Sequence, residues 1–390
     1  MYGCSVCAAE GIPVNVHPVY EFTDRSWDRD TSAPGLFERR AMLPLRQGGA
    51  VTSLGEGRTP LLHLEAMGGG YGLPRLYLKD ETRNPTWSYK DRLAAVAITK
   101  AVLDGADTVV VSTTGNHGAA ISAYAAAGGI RCVVLTLASV PETMKVLMQA
   151  YGADVVALEH PPDRWALMRL AVEELGWVPM SGLIDPPIGS NPFGIEGYKS
   201  ISYEIFQQLG GIPDVVIVPT AYGDGLAGIH RGFADLVALG HTDRTPRMVA
   251  AEPLGPFARS LRDDTDLPAT VEQRSSVAFS IAGSVATYQG VNALKRTGGS
   301  AIVIGDDEQI IAAQLNLAAS EGLYLEASSV IAVQAAAYLA ADGLVGEDDV
   351  IVAIGTSTGL KDVRSTADRL GDVAVIDPTL SALEAVIRDG

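Results

Sequence analysis

Apolar runs rich in valine and isoleucine alternate with alanine-rich amphipathic stretches from about residue 75 onward, and this alternation restricts the possible folds more than any other feature of the chain. The short apolar runs have the length of buried strands, and the longer stretches have the length of helices. Elements that alternate in this way form parallel or mixed sheets flanked by helices, so the sequence predicts an α/β fold. The candidate strands are residues 76–78, 108–111, 132–135, 155–158, 215–218, 248–251 and 350–354, and the candidate helices are 93–103, 119–127, 144–151, 164–175, 196–209, 307–320 and 329–340.

The chain is long enough for more than one hydrophobic core. It has 390 residues, of which 47% are hydrophobic, and single cores rarely serve chains longer than about 250–300 residues. We therefore expect two domains. Two tracts interrupt the pattern, the glycine-rich 67–72 and the acidic, polar 259–276, and both are expected to be flexible.

The net charge of −17 excludes whole classes of partner. Nucleic acids and anionic membranes require concentrated positive charge, and no basic run occurs in the sequence. Nothing approaches an uncharged apolar span of about 18 residues, and the N-terminus lacks a basic region followed by an apolar segment. We therefore expect a cytoplasmic protein that binds neither nucleic acid nor membrane.

Two of the three cysteines form a Cys-x-x-Cys pair, Cys4 and Cys7. Such a pair commonly supplies half of a tetrahedral zinc site, but the third cysteine, Cys132, lies in a candidate strand and would be buried. A vestigial knuckle or a frayed terminus is therefore favoured over a site completed by His17 or by a second subunit. We predict no bound metal.

Residues 84–92, Asn-Pro-Thr-Trp-Ser-Tyr-Lys-Asp-Arg, place Lys90 where a loop becomes a candidate helix. A lysine near the positive end of a helix, if it is also buried, is favoured in its neutral form. The neutral amine is the nucleophile that a Schiff base requires. The alternative is a surface lysine paired with Asp91 or Glu81, and this stretch alone does not decide between them.

Three loops that follow candidate strands carry polar groups suited to a ligand, and ligands of parallel sheets bind at the carboxyl ends of strands. The first loop, 112–118, offers hydroxyls, an amide and backbone N–H groups at a helix N-terminus, which suits a carboxylate or the oxygens of a cofactor. The second, 219–228, is glycine-rich and lets backbone N–H groups approach a phosphate. The third, 355–362, has three hydroxyls. Each loop by itself could also be an ordinary helix cap.

Taken together, the lysine and the three loops resemble the fold-type II enzymes that use pyridoxal 5'-phosphate, and most closely the threonine synthases. The resemblance covers roughly residues 54–362. It includes Leu-Gly-Glu-Gly-Arg-Thr-Pro-Leu at 54–61, Asn-Pro-Phe-Gly-Ile-Glu-Gly at 191–197, Glu-Gly-Leu-Tyr-Leu-Glu at 321–326 and Gly-Leu-Lys-Asp at 359–362.

This resemblance implies a two-domain enzyme with the cofactor in the cleft between the domains. Residues 1–92 and 191–390 are expected to form the large, cofactor-binding domain. Residues 93–190 are expected to form a smaller α/β domain inserted between its two parts. We also expect a homodimer.

The family's functional roles transfer to matching positions. Lys90 matches the lysine that holds the cofactor as a Schiff base and then moves protons as an acid and a base. Asn116 matches the asparagine that hydrogen-bonds the cofactor's 3'-oxygen, and Thr356 matches the hydroxyl residue that faces the pyridine nitrogen. The other implied contacts join the cofactor's phosphate to Gly223, Asp224, Gly225, Leu226 and Ala227, and the substrate carboxylate to Ser112, Thr113 and Thr114.

A hydroxyl at the ring nitrogen has a chemical consequence. Unlike an aspartate, Thr356 does not hold that nitrogen protonated, so the cofactor is a weaker electron sink. Loss or exchange of a β- or γ-substituent is then favoured over transamination. The resemblance thus implies a lyase that performs elimination or replacement on an amino acid.

Trp87 and His117 depart from the threonine synthase pattern near the lysine. Trp87 replaces a glycine and, together with Tyr89, should favour a substrate whose side chain is uncharged or partly apolar. His117 replaces a threonine or serine that helps to bind the substrate's phosphate. It could contact an anion, act as an acid or base near pH 7, or cap a helix.

The most consequential departures concern the substrate's phosphate. Gly194 takes the position of an arginine, the natural bidentate partner of a phosphate, and Ile188 replaces a polar neighbour. O-phosphohomoserine is therefore expected to bind poorly, although His117 and Arg92 could partly rebuild an anion site. In the phosphate loop, the carboxylate of Asp224 must point away from the phosphate or meet a cation, for which Lys199 and Arg231 are candidates.

Two other functions remain open. The Gly-Asn-His sequence at 115–117 also resembles the loop of ammonia-lyases of the threonine or serine dehydratase type. A non-catalytic binding protein on the same fold is the other alternative, but a binder has no need of Lys90, Asn116 and Thr356 together. The natural substrate, its leaving group and the nucleophile that is added are not determined by the sequence.

Overall fold

A computed structural model describes residues 2–23, 25–46, 48–264 and 267–388. Ten strands are found in these ranges. Their bounds are β1 (Leu61–His63), β2 (Leu76–Asp80), β3 (Thr108–Ser112), β4 (Arg131–Leu137), β5 (Asp154–Leu158), β6 (Val178–Pro179), β7 (Val215–Pro219), β8 (Arg247–Glu252), β9 (Ser300–Val303) and β10 (Ile351–Gly355). Seven of them follow the predicted apolar runs, and the short strands β1, β6 and β9 were not predicted.

Helices separate most of these strands, and the long ones match the amphipathic stretches of the sequence. The α-helices of the described ranges are α1 (Ser5–Ala9), α2 (Glu65–Tyr71), α3 (Lys90–Leu103), α4 (Asn116–Gly128), α5 (Glu142–Ala150), α6 (Pro161–Leu175), α7 (Pro192–Ile195), α8 (Lys199–Leu209), α9 (Asp224–Ala238), α10 (Pro256–Arg262), α11 (Tyr288–Arg296), α12 (Asp307–Glu321), α13 (Ala327–Ala341), α14 (Val363–Ala367) and α15 (Leu380–Arg388). None of them is long and apolar enough to cross a bilayer.

The strands form two sheets, which confirms the α/β fold with parallel and mixed sheets. One sheet has six strands in the order β1-β2-β10-β7-β8-β9, and its pairs are parallel except for β1 with β2. The other has four parallel strands in the order β5-β4-β3-β6. Both β7 and β10 are buried along their whole length, as strands covered on both faces must be.

Alternating residues of the central strands face two different hydrophobic cores. Val216 and Val218 of β7 belong to the first core, and Val215 and Ile217 belong to the second. The first core also contains Val111 of β3 and therefore extends from one sheet to the other. The predicted inserted range 93–190 contains β3 to β6, and the domain boundaries themselves stay a prediction.

The two tracts expected to be flexible are largely ordered. The tract 67–72 lies mainly in α2, which Gly72 ends with a φ of +70°, and the N–H of Leu73 donates to the carbonyl of Gly68 at 2.8 Å. The tract 259–276 begins in α10, and Thr270 bridges to Val285. Its residues 265 and 266 lie outside the described ranges. The first expectation is wrong because the three consecutive glycines 68–70 do not prevent a short helix, which is held by the burial of Met67 and Gly68.

The burial predicted for Cys132 is confirmed, whereas the pair Cys4 and Cys7 lies at a short helix. Cys7 lies in α1, and Cys132 is buried in β4. Among the described residues, no three His, Cys, Asp or Glu side chains are arranged to hold a metal ion.

Candidate active site

A cavity of about 440 Å³ lies at the carboxyl ends of β3, β7 and β10. Its wall contains Lys90, the loop 112–117, the loop 219–226 and Thr356. The lysine and the three loops that the sequence singled out therefore meet in one place. The topology explains part of this convergence, since β7 and β10 are parallel neighbours in one sheet and direct their carboxyl ends to the same edge. The carboxyl end of β3, in the other sheet, meets them at the cavity.

Lys90 is the first residue of α3, and its side chain faces this cavity. Its backbone N–H donates to the Ser88 hydroxyl at 3.1 Å. The Nζ atom lies 4.9 Å from the centre of the Tyr89 ring and 5.8 Å from that of the Tyr198 ring. Two aromatic rings thus lie close to the amine, and its charge also acts on His117 and Asp224.

Neither acidic neighbour pairs with Lys90, so the surface-lysine alternative is wrong. Asp91 accepts hydrogen bonds from the backbone N–H and the hydroxyl of Thr86, at 3.0 and 2.7 Å. Glu81 accepts from the Arg92 guanidinium at 2.6 and 2.8 Å. Both carboxylates hold the loop and the helix that present Lys90, and leave its amine free for the cavity.

Arg92 is fully buried in a charge network that anchors the start of α3. Its guanidinium donates to Glu81 and to Glu204, and Lys79 donates to the same Glu204 at 2.7 Å. Burial alone would raise the pKa of Glu204, but the charges of Arg92 and Lys79 lower it. Glu204 also accepts from the backbone N–H of Arg58 at 2.9 Å. Arg92 is therefore not available to rebuild an anion site in the cavity.

The glycine-rich loop after β7 ends in a helix N-terminus with free donors. Gly223 has a φ of +77°, and a Cβ on it would lie 2.9 Å from the backbone of Gly290. In the described part of the chain, the N–H groups of Asp224, Gly225 and Leu226 have no hydrogen-bond acceptor. Three N–H groups at a positive helix end suit a phosphate.

The N–H of Ala227 is used differently from those of the preceding residues. It donates to the carbonyl of Gly223 at 2.8 Å, and Ala227 does not line the cavity. The structure therefore gives no support to the predicted phosphate contact at this position.

Asp224 lies in the cavity wall, but neutral groups hold its carboxylate. The backbone N–H of Ser190 donates to it at 3.2 Å, and the Gln289 amide donates at 2.6 Å. Burial raises its pKa, although the positive charge of Lys90 acts in the opposite direction. The cations considered from the sequence, Lys199 and Arg231, pair instead with other carboxylates, so those two partners were wrong.

The loop after β3 also offers unused donors. Ser112 has a buried hydroxyl that finds no partner among the described residues, and Thr114 lines the cavity. The hydroxyl of Thr113 instead accepts from two backbone N–H groups of its own loop, both at 3.2 Å. The backbone N–H groups of Asn116 and His117 at the start of α4 have no acceptor among the described residues. These groups suit a carboxylate.

His117 faces the cavity as a neutral imidazole. Burial, and then the charge of Lys90, lower its pKa to about 3. Its Nε2 atom is buried without a partner, and the ring makes no hydrogen bond within the described ranges. The helix-capping alternative thus has no support, and a neutral ring does not provide the positive charge for a phosphate.

Thr356 lines the cavity directly after β10. Its hydroxyl lies 2.7 Å from that of Ser329, which accepts from the backbone N–H of Ser357 at 2.9 Å. Ser329 can therefore donate its own proton to Thr356, which leaves the Thr356 proton for a ligand.

Two charged residues that sequence reasoning missed hold Asn116. The amide of Asn116 donates to Glu326 at 2.8 Å, and Lys361 donates to the amide oxygen at 2.7 Å. Burial lowers the pKa of Lys361 to about 8. Glu326 and Lys361 both lie in segments that carry the family resemblance, at 321–326 and 359–362. Their charged side chains within these segments were the signal that could have identified them.

Three departures stressed from the sequence do not reach the cavity. The Trp87 side chain is 48% exposed and lies outside the wall. A Cβ on Gly194 would lie 2.9 Å from Leu93, so this position faces α3. Ile188 is buried, also outside the wall. The structure therefore gives no support to direct contacts of these three residues with a substrate, and their influence on specificity stays a prediction.

Comparison with known proteins agrees with this geometry. A family described as pyridoxal-phosphate dependent enzymes matches residues 52–357. A threonine synthase of Methanosarcina acetivorans is 30% identical to this chain, covering 99% of it and 94% of the relative. One of Methanocaldococcus jannaschii is 31% identical, covering 91% and 87%.

The chain therefore belongs to the pyridoxal-phosphate dependent enzymes. Within them it is threonine synthase-like and of fold type II, a lyase that uses pyridoxal 5'-phosphate for elimination or replacement on an amino acid.

Solved structures show the same fold. Maize serine racemase has a TM-score of 0.66 at 21% identity, covering 85% of this chain and 92% of that one. Threonine deaminase isoform 2 of Solanum lycopersicum has a TM-score of 0.65 at 21% identity, covering 79% and 87%. At these identities the likeness concerns the fold alone.

Proposed function

We propose that this enzyme exchanges a substituent on the side chain of an amino acid in a reaction of the threonine synthase type. The observation that carries the proposal is that Lys90, two sets of unused helix N-terminal N–H groups and the Thr356 hydroxyl face one cavity. The relatives that cover nearly the whole chain are named threonine synthases, whereas the deaminase shares the fold alone. The ammonia-lyase reaction is therefore the less favoured one.

The donors in the wall fit pyridoxal 5'-phosphate. The N–H groups of Asp224, Gly225 and Leu226 would hold its phosphate beside the tight turn at Gly223. The hydroxyl of Thr356 would meet the pyridine nitrogen. Asn116 would donate its second amide proton to the 3'-oxygen, because its first is already bound to Glu326.

Lys90 would hold the cofactor and move the protons. When bound, pyridoxal 5'-phosphate withdraws electrons from the α-carbon of the amino acid attached to it, which makes the Cα proton removable. The Nζ of Lys90 would take that proton and later return one. Because no described carboxylate pairs with Nζ, no ion pair has to be broken for these transfers.

The loop after β3 would orient the substrate. Its carboxylate would accept from the N–H groups of Asn116 and His117 and from the hydroxyls of Ser112 and Thr114. Thr113 would keep the loop in shape, since its hydroxyl binds the loop's own backbone.

Replacement of Lys90 tests this assignment. We expect Lys90→Ala to abolish the visible absorption of the covalently bound cofactor and to lower kcat/KM by at least about a thousandfold, because a covalent and a proton-transfer role are lost together. Lys100→Ala is the matched control, since Lys100 lies in the same helix but pairs with Asp104 outside the cavity. Near-normal turnover by Lys90→Ala would refute the proposal.

The products separate the two candidate reactions. Threonine and inorganic phosphate released from O-phosphohomoserine would support the threonine synthase type, whereas ammonia and a keto acid released from threonine or serine would support the lyase alternative. The homodimer and the cytoplasmic location stay predictions, and sedimentation equilibrium of the purified enzyme measures the first.

A further inference from the structure

Arg164 lies in the wall of the same cavity, although nothing in the sequence singled it out. It is the fourth residue of α6 and is only 7% exposed. Met168, one turn further along the same face, is fully buried in a cluster with Val110 and Leu183. The packing of Met168 therefore fixes α6 in the position that turns Arg164 to the cavity.

The guanidinium of Arg164 has no acidic partner. Its Nε donates to the Pro161 carbonyl at 3.3 Å, and no carboxylate of the described ranges forms an ion pair with it. Its other neighbours are aromatic, the Trp165 ring at 5.5 Å and Tyr222. Arg92, which is fully buried, has two carboxylates. A buried cation without a partner is costly, which points to a ligand that supplies the negative charge.

The other anion-binding groups of the cavity are already assigned. The N–H groups at 224–226 would hold the cofactor's phosphate, and the loop 112–117 would hold the substrate carboxylate. The remaining carboxylates in the wall, Asp224 and Glu326, have their own donors. One anion subsite is therefore left, and Arg164 defines it.

We propose that Arg164 is a specificity-determining residue that binds an oxyanion, either a phosphate ester or a carboxylate, at the far end of the substrate's side chain. A guanidinium offers paired N–H donors that match both kinds of oxyanion. This inference rests on the proposed function and names its substrate class. It differs from the expectation of an uncharged or partly apolar side chain, which rested on Trp87 and Tyr89 together. Of these two residues, Tyr89 lines the cavity and Trp87 does not.

Matched substrates test the subsite in the holoenzyme. The measurement is kcat/KM for O-phosphohomoserine, O-succinylhomoserine and the uncharged O-acetylhomoserine with wild type, Arg164→Met and Arg164→Lys. We expect Arg164→Met to lose about 10–150-fold on the preferred anionic substrate, the effect of one charge-assisted interaction, and little on O-acetylhomoserine. Arg164→Lys, which keeps the charge but not the fork, should lose less. The phosphate and succinyl arms identify which oxyanion is preferred.

Arg169→Met is the control, because Arg169 lies in the same helix and outside the cavity wall. Equal losses on charged and uncharged substrates would overturn the inference and leave Arg164 with a structural role. If Arg164→Met does not fold, the same comparison with Arg164→Lys decides.

A binding measurement separates this inference from the proposed function. Calorimetric titration of the holoenzyme with inorganic phosphate should show binding that Arg164→Met weakens at least tenfold and Arg169→Met does not change. Wild type without activity on any of the amino acids would refute the proposed function. Phosphate binding that is absent, or unchanged in Arg164→Met, would refute the role of Arg164 whichever way the activity falls.

Discussion

At the scale of single residues, Trp87 shows how a departure from a family pattern can be structural. Its φ is +57°, in the left-handed region that favours glycine. The threonine synthases that this chain resembles have glycine at the matching position, and the conformation explains that preference. Trp87 keeps the conformation because its carbonyl accepts from the N–H of Thr358 at 3.3 Å and from the Ser357 hydroxyl at 3.3 Å.

We therefore expect Trp87→Gly to be more stable than Trp87→Ala by about 0.5–1 kcal/mol. Glycine avoids about 1–2 kcal/mol of left-handed strain and loses about 0.5–1 kcal/mol through the greater freedom of the unfolded chain. Both variants should keep wild-type kcat/KM, because the indole lies outside the cavity. Denaturant unfolding gives the free energies of unfolding. The control site is Val146 of α5, where Val146→Gly should be less stable than Val146→Ala. If the glycine variant were the less stable one at both sites, left-handed strain would not explain the glycine preference at position 87.

Residue identities in the site were predictable where a motif carried them. Lys90, Asn116 and Thr356 lie in the cavity as their motifs indicated. The direction of the Gly194 position was not predictable, since a position matched in a motif carries no information on where its side chain points, and here a Cβ would point towards Leu93. The poor binding of O-phosphohomoserine inferred from this position stays a prediction. Arg164 was missed because its burial, and the absence of an acidic partner among the described residues, depend on tertiary packing that the sequence does not show.

At the scale of elements, α3 is held by charges from distant parts of the chain. Arg92 of α3 meets Glu204 of α8, and Lys79 of β2 joins them. The sequence predicted α3 and β2 by their apolar pattern, but not their link, because hydrophobic periodicity does not identify ion-pair partners that are far apart along the chain. The position of Lys90 at the start of α3 depends on this link.

Breaking the network should cost much of the stability of the protein. We expect Arg92→Met to lower the free energy of unfolding by about 3–5 kcal/mol, because it leaves two buried carboxylates with a single cation. Arg131→Met should lower it by less than about 1 kcal/mol, since the ion pair of Arg131 with Asp154 is largely exposed. Denaturant titration of the two variants measures both values. Similar small losses would show that the network does not anchor α3.

At the scale of the whole molecule, the acidic excess of this chain includes carboxyl groups that folding buries. Glu252, at the end of β8, accepts from the backbone N–H groups of Phe257 and Ala258 at 3.1 and 2.8 Å, at the start of α10. Burial nonetheless raises its pKa to about 7. Burial also raises the pKa of Glu56 to about 7. The folded molecule therefore holds protons that the unfolded chain has already lost near pH 6.

This difference makes part of the stability depend on pH in a predictable direction. Below about pH 4.5, Glu252 is protonated in both states, and its contribution is fully present. As the pH rises to about 7, the unfolded chain releases the proton first, so that contribution is lost. Glu252→Gln does not titrate, so its free energy of unfolding lacks this component. The free energy of unfolding of wild type minus that of Glu252→Gln should thus fall by on the order of 3 kcal/mol between pH 4.5 and pH 8. Denaturant unfolding of both proteins across that range measures this difference in free energy, and parallel stability curves would show that Glu252 ionises as readily in the folded protein as in the unfolded chain.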